Sequence, residues 1–259
     1  MMSIKLKLKS GQPVVGSWLN SASPIIAETM ALTGFDFLTV DVEHSAVDLV
    51  QTQILFQAIR SGNPHCAPLV RLAGNTYAET KRFLDAGASG VIAPFINNAD
   101  QARELLRAVK YPPQGMRGVG FCRANGYGMH LQQSVAVAND ETFVCVQIEH
   151  MDAVRNINEI LAVPGIDAVM IGPYDLSASI GITAQFDHPE MVAAVNTIGA
   201  ACQRHGVAAG IHVVQPDVAE VVRRYREGYR FIAYSLDITM LMNACMNGLS
   251  EIHRQIPVK

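Results

Sequence analysis

Short apolar runs alternate with longer amphipathic stretches along almost the whole chain. The runs fall at 13–19, 35–40, 66–70, 88–93, 142–148, 166–171, 207–211 and 229–234. The amphipathic stretches fall at 23–33, 47–60, 76–86, 98–109, 150–162, 188–205, 215–227 and 237–254. Within 98–109, for example, Ala102, Leu105, Leu106 and Val109 share one helical stripe. The runs are apolar at consecutive positions, the signature of strands covered on both faces. Gly34, Gly87, Gly165, Gly206 and Gly228 each stand between a helical stretch and the next run, where a left-handed cap ends a helix. Such alternation predicts a parallel sheet, and eight repeats close a barrel. The expected fold is therefore α/β, a (β/α)8 TIM barrel forming a single domain over 1–259. One long interruption, 111–141, carries Pro112-Pro113 and Gly115, Gly118, Gly120, Gly126 and Gly128. A loop of that length is usually functional. It could enter the barrel from the far side or reach a neighbouring subunit.

Active sites of such barrels lie at the C-terminal strand ends. Those positions hold Trp18-Leu-Asn20, Asp41-Val-Glu43-His44, Arg71, Pro94-Phe95, Gln147-Ile-Glu149, Gly172-Pro-Tyr-Asp175, His212 and Tyr234-Ser-Leu-Asp237. Carboxylates converging on a buried crevice must be paired, hydrogen-bonded or bound to a metal. Glu149 and Asp175 offer hard oxygen ligands suited to Mg²⁺ or Mn²⁺. Two carboxylates are too few for an all-protein cage and suit a cation left open to substrate. Arg71 could hold a substrate carboxylate, steady a developing oxyanion, or pair with a neighbouring acid. His44 follows Asp41 closely enough for the carboxylate to orient its imidazole as a general acid or base.

Composition removes several alternatives. A formal charge of −3 disfavours nucleic acid or a membrane surface as the main partner. No apolar run approaches the ~18 residues of a membrane span. The opening segment, Met1 to Ser10, alternates lysine with apolar residues and lacks a signal-peptide core; a cytoplasmic location is expected. Cys66, Cys122, Cys145, Cys202 and Cys245 form no CxxC pair and read as free thiols, with Cys122 beside Arg123 the one worth checking for reactivity. Lys5, Lys7, Lys9, Lys81, Lys110 and Lys259 all lie away from strand ends, which disfavours imine chemistry. The segments after the last two strands lack phosphate-binding glycines, so a phosphorylated substrate is disfavoured as well.

The set Asp41-x-Glu43-His44, Arg71, Tyr111-Pro-Pro-x-Gly-x-Arg-Gly-Val-Gly120, Gln147-Ile-Glu149 and Gly172-Pro-x-Asp-Leu-Ser177 occurs in order. It resembles the HpcH/HpaI family of metal-dependent, pyruvate-specific class II aldolases over nearly the whole chain. The resemblance implies a phosphoenolpyruvate/pyruvate-type barrel whose last helix is exchanged between subunits of a hexamer, a trimer of dimers. It implies Mg²⁺, Mn²⁺ or Co²⁺ held by Glu149 and Asp175, with pyruvate and an aldehyde as small-molecule partners. Arg71 would contact the keto or enolate oxygen, Gln147 would lie beside pyruvate, and Gly172 would be a further substrate-binding position. Backbone N–H groups of Tyr174 and Asp175 would receive the carboxylate, and His44, oriented by Asp41, would be the acid/base. Trp18 would pack over pyruvate or the aldehyde. The chain departs from the family pattern at Tyr174, where a small residue is more usual, at His212, and around Phe121–Gly128. Arg123 could bind a second carboxylate on the aldehyde half or brace its loop. The reaction expected is reversible cleavage of a 4-hydroxy-2-oxo acid. A related lyase acting on a CoA thioester or phosphonate, and a non-catalytic 2-oxo-acid-binding barrel, are the alternatives.

Overall fold

The computed structural model describes residues 2–256. Eight strands alternate with helices: β1 (Val14–Leu19), β2 (Phe37–Asp41), β3 (Ala67–Arg71), β4 (Gly90–Ala93), β5 (Phe143–Ile148), β6 (Ala168–Ile171), β7 (Ala208–Val213) and β8 (Phe231–Leu236). They pair in parallel and in sequence order, with β8 returning to β1, as a closed barrel. The helices are α1 (Ile4–Lys9), α2 (Pro24–Leu32), α3 (Leu49–Gly62), α4 (Tyr77–Asp85), α5 (Ala99–Val109), α6 (Leu131–Glu141), α7 (Met151–Arg155), α8 (Ile157–Leu161), α9 (Pro173–Ala178), α10 (Pro189–His205), α11 (Val218–Arg226) and α12 (Asp237–Gln255). The glycines expected to cap helices all have positive φ, Gly87 at 107° and Gly228 at 103° among them.

Four elements differ from the sequence reading. The opening segment forms α1, capped by the Ser3 side chain, which buries Ile4, Lys5 and Leu8 at the N-terminal end of the barrel. The Lys5 ammonium is held there 3.2 Å from Asp167 and donates to the Thr142 carbonyl. The stretch 150–162 divides at Asn156 into α7 and α8. A short helix, α9, follows β6 directly, with Pro173 in its first turn. The segment 111–141 is not an open loop: it contains a 3₁₀ turn at Arg123–Asn125 and then α6.

The interior of the barrel is closed by three paired positions. Gly16 lies in register with Phe37, Gly90 with Phe143, and Gly210 with Phe231. A methyl group on Gly16 would sit 2.4 Å from the Phe37 ring, and one on Gly90 2.3 Å from the Phe143 carbonyl oxygen. On Gly210 it would lie 2.5 Å from the Val169 carbonyl oxygen and 2.8 Å from the Phe231 ring. Gly16 and Gly210 thus leave room for the rings of Phe37 and Phe231, and Gly90 for the backbone and Cβ of Phe143. The rings then meet: Phe231 stacks on Phe37 at 4.6 Å and lies tilted against Phe143 at 5.0 Å. All three are fully buried.

Outside the barrel, α6, α11 and α12 bury little, and of these α12 exposes the most large apolar side chains. Along α12, Ile238, Leu241, Met242, Met246, Leu249 and Ile252 are exposed, and only Asp237 is buried. The helix therefore carries an apolar stripe that the protomer itself leaves uncovered.

Replacing Gly90 by alanine forces its methyl group into backbone that cannot turn aside, and overpacking of this kind costs about 1–3 kcal/mol. Urea denaturation of G90A should show that loss with an unchanged m-value. A midpoint equal to that of the wild type would show that the interior tolerates the added carbon.

Candidate active site

Strand twist and register bring the ends of β1 to β8 to one mouth, where acidic side chains outnumber basic ones. Arg71, at the end of β3, is the cation among them. It faces Asp41 across the β2–β3 pairing and grips it as a fork, Nε to Oδ1 at 2.9 Å and Nη2 to Oδ2 at 2.6 Å. Its Nε also lies 3.3 Å from Glu43 Oε2. The remaining capacity of Asp41 is taken by Asn20 Nδ2 at 3.0 Å and by the backbone N–H groups of Glu43 and His44. Burial pushes the Asp41 carboxyl up, but Arg71 and these N–H donors outweigh it and hold the group below its ordinary range.

This saturation corrects one expectation. Asp41 does not orient the His44 imidazole, because its oxygens are occupied by Arg71, Asn20 and the turn backbone. The His44 ring is largely exposed, and its nearest acid is Glu43, 3.9 Å from Nε2. Glu43, a strand-end position with no role evident from the sequence, thus joins the site. Burial pushes its carboxyl up to about 7; Arg71 opposes that, while Glu149, Asp41 and Asp175 add to it.

Arg71 in turn rests on a ring stack. Its guanidinium carbon lies 4.5 Å from the centre of the Trp18 indole, and Trp18 stacks on His212 at 5.1 Å with 19° between planes. Trp18 is only 2 % exposed, so it forms the floor under Arg71 rather than a cover over the mouth, which corrects the second expectation. His212 Nε2 lies 3.0 Å from the Ser235 carbonyl oxygen. A carbonyl can only accept, so Nε2 carries the proton. Burial lowers the imidazole to about 4, and the ring is neutral at neutral pH. Ser235 itself has a positive φ, 50°, at the end of β8.

Glu149 is buried and already aimed. Its Oε1 accepts from the Phe95 N–H at 2.7 Å, and its Oε2 accepts from Gln147 Nε2. Phe95 reaches it from a backbone with φ 52°, a conformation few non-glycine residues adopt. Nothing in the sequence of Phe95 announces this role. Gly172 lets the wall close: a Cβ there would lie 2.8 Å from Glu149 Cβ, 2.9 Å from its Oε2 and 3.3 Å from Gln147 Nε2. Asp175 stands in the first turn of α9. The first bond within that helix runs from Leu176 N–H to the Gly172 carbonyl, so the Tyr174 and Asp175 amides precede it. Burial pushes the Glu149 carboxyl up; Gln147 and Phe95 oppose this, and the charge of Asp175 adds to it.

Arg123 lies elsewhere. Its Nη1 donates to the Ala86 carbonyl at 3.3 Å and fills the space beside Gly87, ahead of β4. That is the opposite end of the barrel, so within this chain Arg123 braces its loop and does not meet a substrate at the mouth. The signal was present in the sequence, since a segment between a helix and the next strand belongs to the N-terminal face.

With Asp41 and Glu43 engaged by Arg71, Glu149 and Asp175 have no cationic partner among the described residues. Glu43 Oε2 and Gln147 Oε1 are buried acceptors lacking a hydrogen-bond partner among the described residues. Hard oxygens, surplus negative charge and unfilled lone pairs together suit a divalent cation. No group of three or more histidine, cysteine, aspartate or glutamate side chains arranged to hold a metal occurs among the described residues.

In the metal-free protein Glu43 should leave a pH signature. A carboxyl raised from 4.5 to about 7 binds its proton more tightly folded than unfolded, so its stabilising contribution is present at low pH and is lost as pH rises from 4.5 through about 7. Between pH 5 and 8, thermal unfolding of the EDTA-treated protein should show E43Q losing less stability than the wild type. Parallel curves would mean that Glu43 is ionised throughout.

Comparison with known proteins agrees with the geometry. Residues 15–244 match the model of the HpcH/HpaI aldolase/citrate lyase family. A 4-hydroxy-2-oxo-heptane-1,7-dioate aldolase from Escherichia coli is 40% identical over 248 residues, covering 93% of this chain and 91% of its own. A hydroxypyruvate/pyruvate aldolase from Roseobacter denitrificans is 37% identical over 244 residues, covering 93% of each chain. The crystal structure of a family protein from Burkholderia cenocepacia superposes with a TM-score of 0.92 at 34% identity, covering 98% of this chain and 100% of that one. On the strength of fold, motif order and these matches, the chain belongs to the HpcH/HpaI aldolase/citrate lyase family.

Proposed function

We propose that this protein is a class II pyruvate aldolase, an aldehyde-lyase that reversibly cleaves a 4-hydroxy-2-oxo acid to pyruvate and an aldehyde. The observation that carries the reading is the division of charge at the mouth: Arg71 is shared by Asp41 and Glu43, while Glu149 and Asp175 have no cation beside them among the described residues. Those two carboxylates would hold Mg²⁺, Mn²⁺ or Co²⁺, which when bound supplies a Lewis acid for the oxygen that becomes the enolate.

The chain's own groups account for the rest. In the cleavage direction the 4-hydroxyl gives up its proton, the C3–C4 bond breaks, and its electron pair becomes the pyruvate enolate while C4 becomes the aldehyde carbonyl. C3 then takes a proton to give pyruvate. His44, exposed at the mouth beside Glu43, is the acid/base we assign to the 4-hydroxyl. Arg71, fixed by two carboxylates and an indole, presents positive charge to the keto oxygen with no need to reorganise. Gln147 and Gly172 would form the wall beside pyruvate, and the Tyr174 and Asp175 amides would take its carboxylate. The neutral His212 stacks on Trp18.

We also infer a homo-oligomer, a hexamer built as a trimer of dimers, in which the apolar stripe of α12 is covered by a neighbouring subunit. A cytoplasmic setting fits five unpaired cysteines, of which burial pushes Cys66 and Cys202 up to about 12. No described helix is long and apolar enough to cross a membrane.

Pyruvate release from 4-hydroxy-2-oxo acids, followed with and without EDTA, tests the central point. Chelation should abolish turnover, and Mg²⁺ or Mn²⁺ should restore it. Asp175→Ala should lose bound metal and activity together. His44→Ala should retain metal, measured by elemental analysis, while kcat falls by about 10²-fold or more. Turnover indifferent to EDTA would sink the metal assignment, and full activity in both variants would show the site to be misplaced.

A further inference from the structure

One buried carboxylate near the mouth has no part in the chemistry described so far. Asp237 opens α12 and is 4% exposed. Its Oδ1 accepts from the Asn20 N–H at 2.9 Å and the Ile238 N–H at 2.8 Å. Its Oδ2 accepts from the Ser21 N–H at 3.0 Å and the Ser21 hydroxyl at 2.5 Å. A buried carboxylate bonded this completely is a fixed point, because releasing any donor leaves charge unsatisfied. Two of its donors are consecutive backbone N–H groups just past the end of β1. They lie where the ladder between β1 and β8 is irregular: Gly16 pairs with Ala233 but Trp18 with Leu236, so the register slips. Beyond that slip, the Asp237 side chain ties the chain leaving β1 to α12.

What this clamp fixes is Asn20. Its Nδ2 donates to Asp41 Oδ2 at 3.0 Å and lies 3.5 Å from the His44 carbonyl oxygen. Asp41 holds Arg71 as a fork, which requires both carboxylate oxygens in the guanidinium plane. Oδ1 is set by the N–H groups of Glu43 and His44 in its own turn. Among the described residues Oδ2 has two partners, Arg71 itself and Asn20. Without the Asn20 amide the carboxylate is free to swing about Oδ1. Arg71 then has a second acid at hand, since Glu43 Oε2 is 3.3 Å from its Nε. The amide therefore decides which acid carries the guanidinium, and at what angle.

We infer that Asn20, held in place by Asp237, is a positioning residue that sets the geometry of Arg71 through Asp41. Its effect on turnover rests on the aldolase reading above; its link to Asp41 does not.

Thermal unfolding of the full-length protein tests that link without any substrate. Asn20→Ala should lower the midpoint by about 3 °C or more, and less than half as far in an Asp41→Ala background. Equal shifts in the two backgrounds would overturn the inference, because Asn20 would then act through another contact. Pyruvate release by the metal-loaded enzyme tests the link to Arg71. In Asn20→Ala kcat/KM should fall about tenfold or more with bound metal unchanged, but only about threefold or less in an Arg71→Lys background. Asn20→Asp keeps the shape of the side chain and turns an oxygen towards Asp41 in place of a donor, so it should lose at least as much. Asp237→Asn, one contact further away, should lose about threefold. Wild-type kcat/KM in Asn20→Asp, or equal losses in the two Arg71 backgrounds, would sink the assignment, and a wild-type value in Asp237→Asn would remove Asp237 from it. If the wild-type protein released no pyruvate from any 4-hydroxy-2-oxo acid, the aldolase reading would fail and the unfolding comparison alone would decide the place of Asn20.

Discussion

The fit of glycine to phenylalanine inside the barrel is the constraint on which the other features depend. Eight parallel strands enclose a volume that must be filled to native density. Here Phe37, Phe143 and Phe231 fill it together with Val14, Leu69, Ile92 and Met170, and each phenylalanine stands in register with a glycine of the preceding strand. The filling is apolar, so it offers nothing to a charge. Polar residues pointing inward can be satisfied only above the rings. That places Asp41, Arg71, Gln147 and Glu149 on one level, crowded enough to share partners. The barrel mouth is thus a consequence of the barrel floor.

Crowding also explains how charges divide. One guanidinium serves two carboxylates, and an indole beneath it limits where it can swing. Of the two carboxylates that remain, Glu149 accepts from neutral donors, the Phe95 backbone N–H and the Gln147 amide, and Asp175 is exposed. Neutral donors orient an anion without cancelling its charge. The resulting field favours a cation, while the opposite end of the barrel, plugged by α1 through Lys5 and Asp167, is occupied with holding the fold together.

Much of this was legible in the chain. Glycines before apolar runs marked helix ends, and consecutive apolar positions marked strands buried on both faces, which gave the barrel and its strand ends. What failed to read was local geometry. Asp41 and His44 are close in sequence, yet the chain turns so that Asp41 accepts from the His44 backbone N–H and the ring points to solvent. Phe95 carries no polar side chain to draw notice; its contribution is an N–H presented by an unusual φ. Arg123 could be read from its charge either as a contact to substrate or as a brace of its loop, and its position between a helix and a strand is what makes it the brace. The short α9 escaped notice because a single helical turn or two has no periodicity to detect.

The floor residue Trp18 has a consequence of a different kind. It is the chain's one tryptophan, and it sits sealed between the Arg71 guanidinium and the His212 ring. Its near-ultraviolet absorption and emission therefore come from a single environment, directly beneath the groups that would meet substrate. The protein carries a spectroscopic reporter at its own candidate active site, free of any background from other indoles.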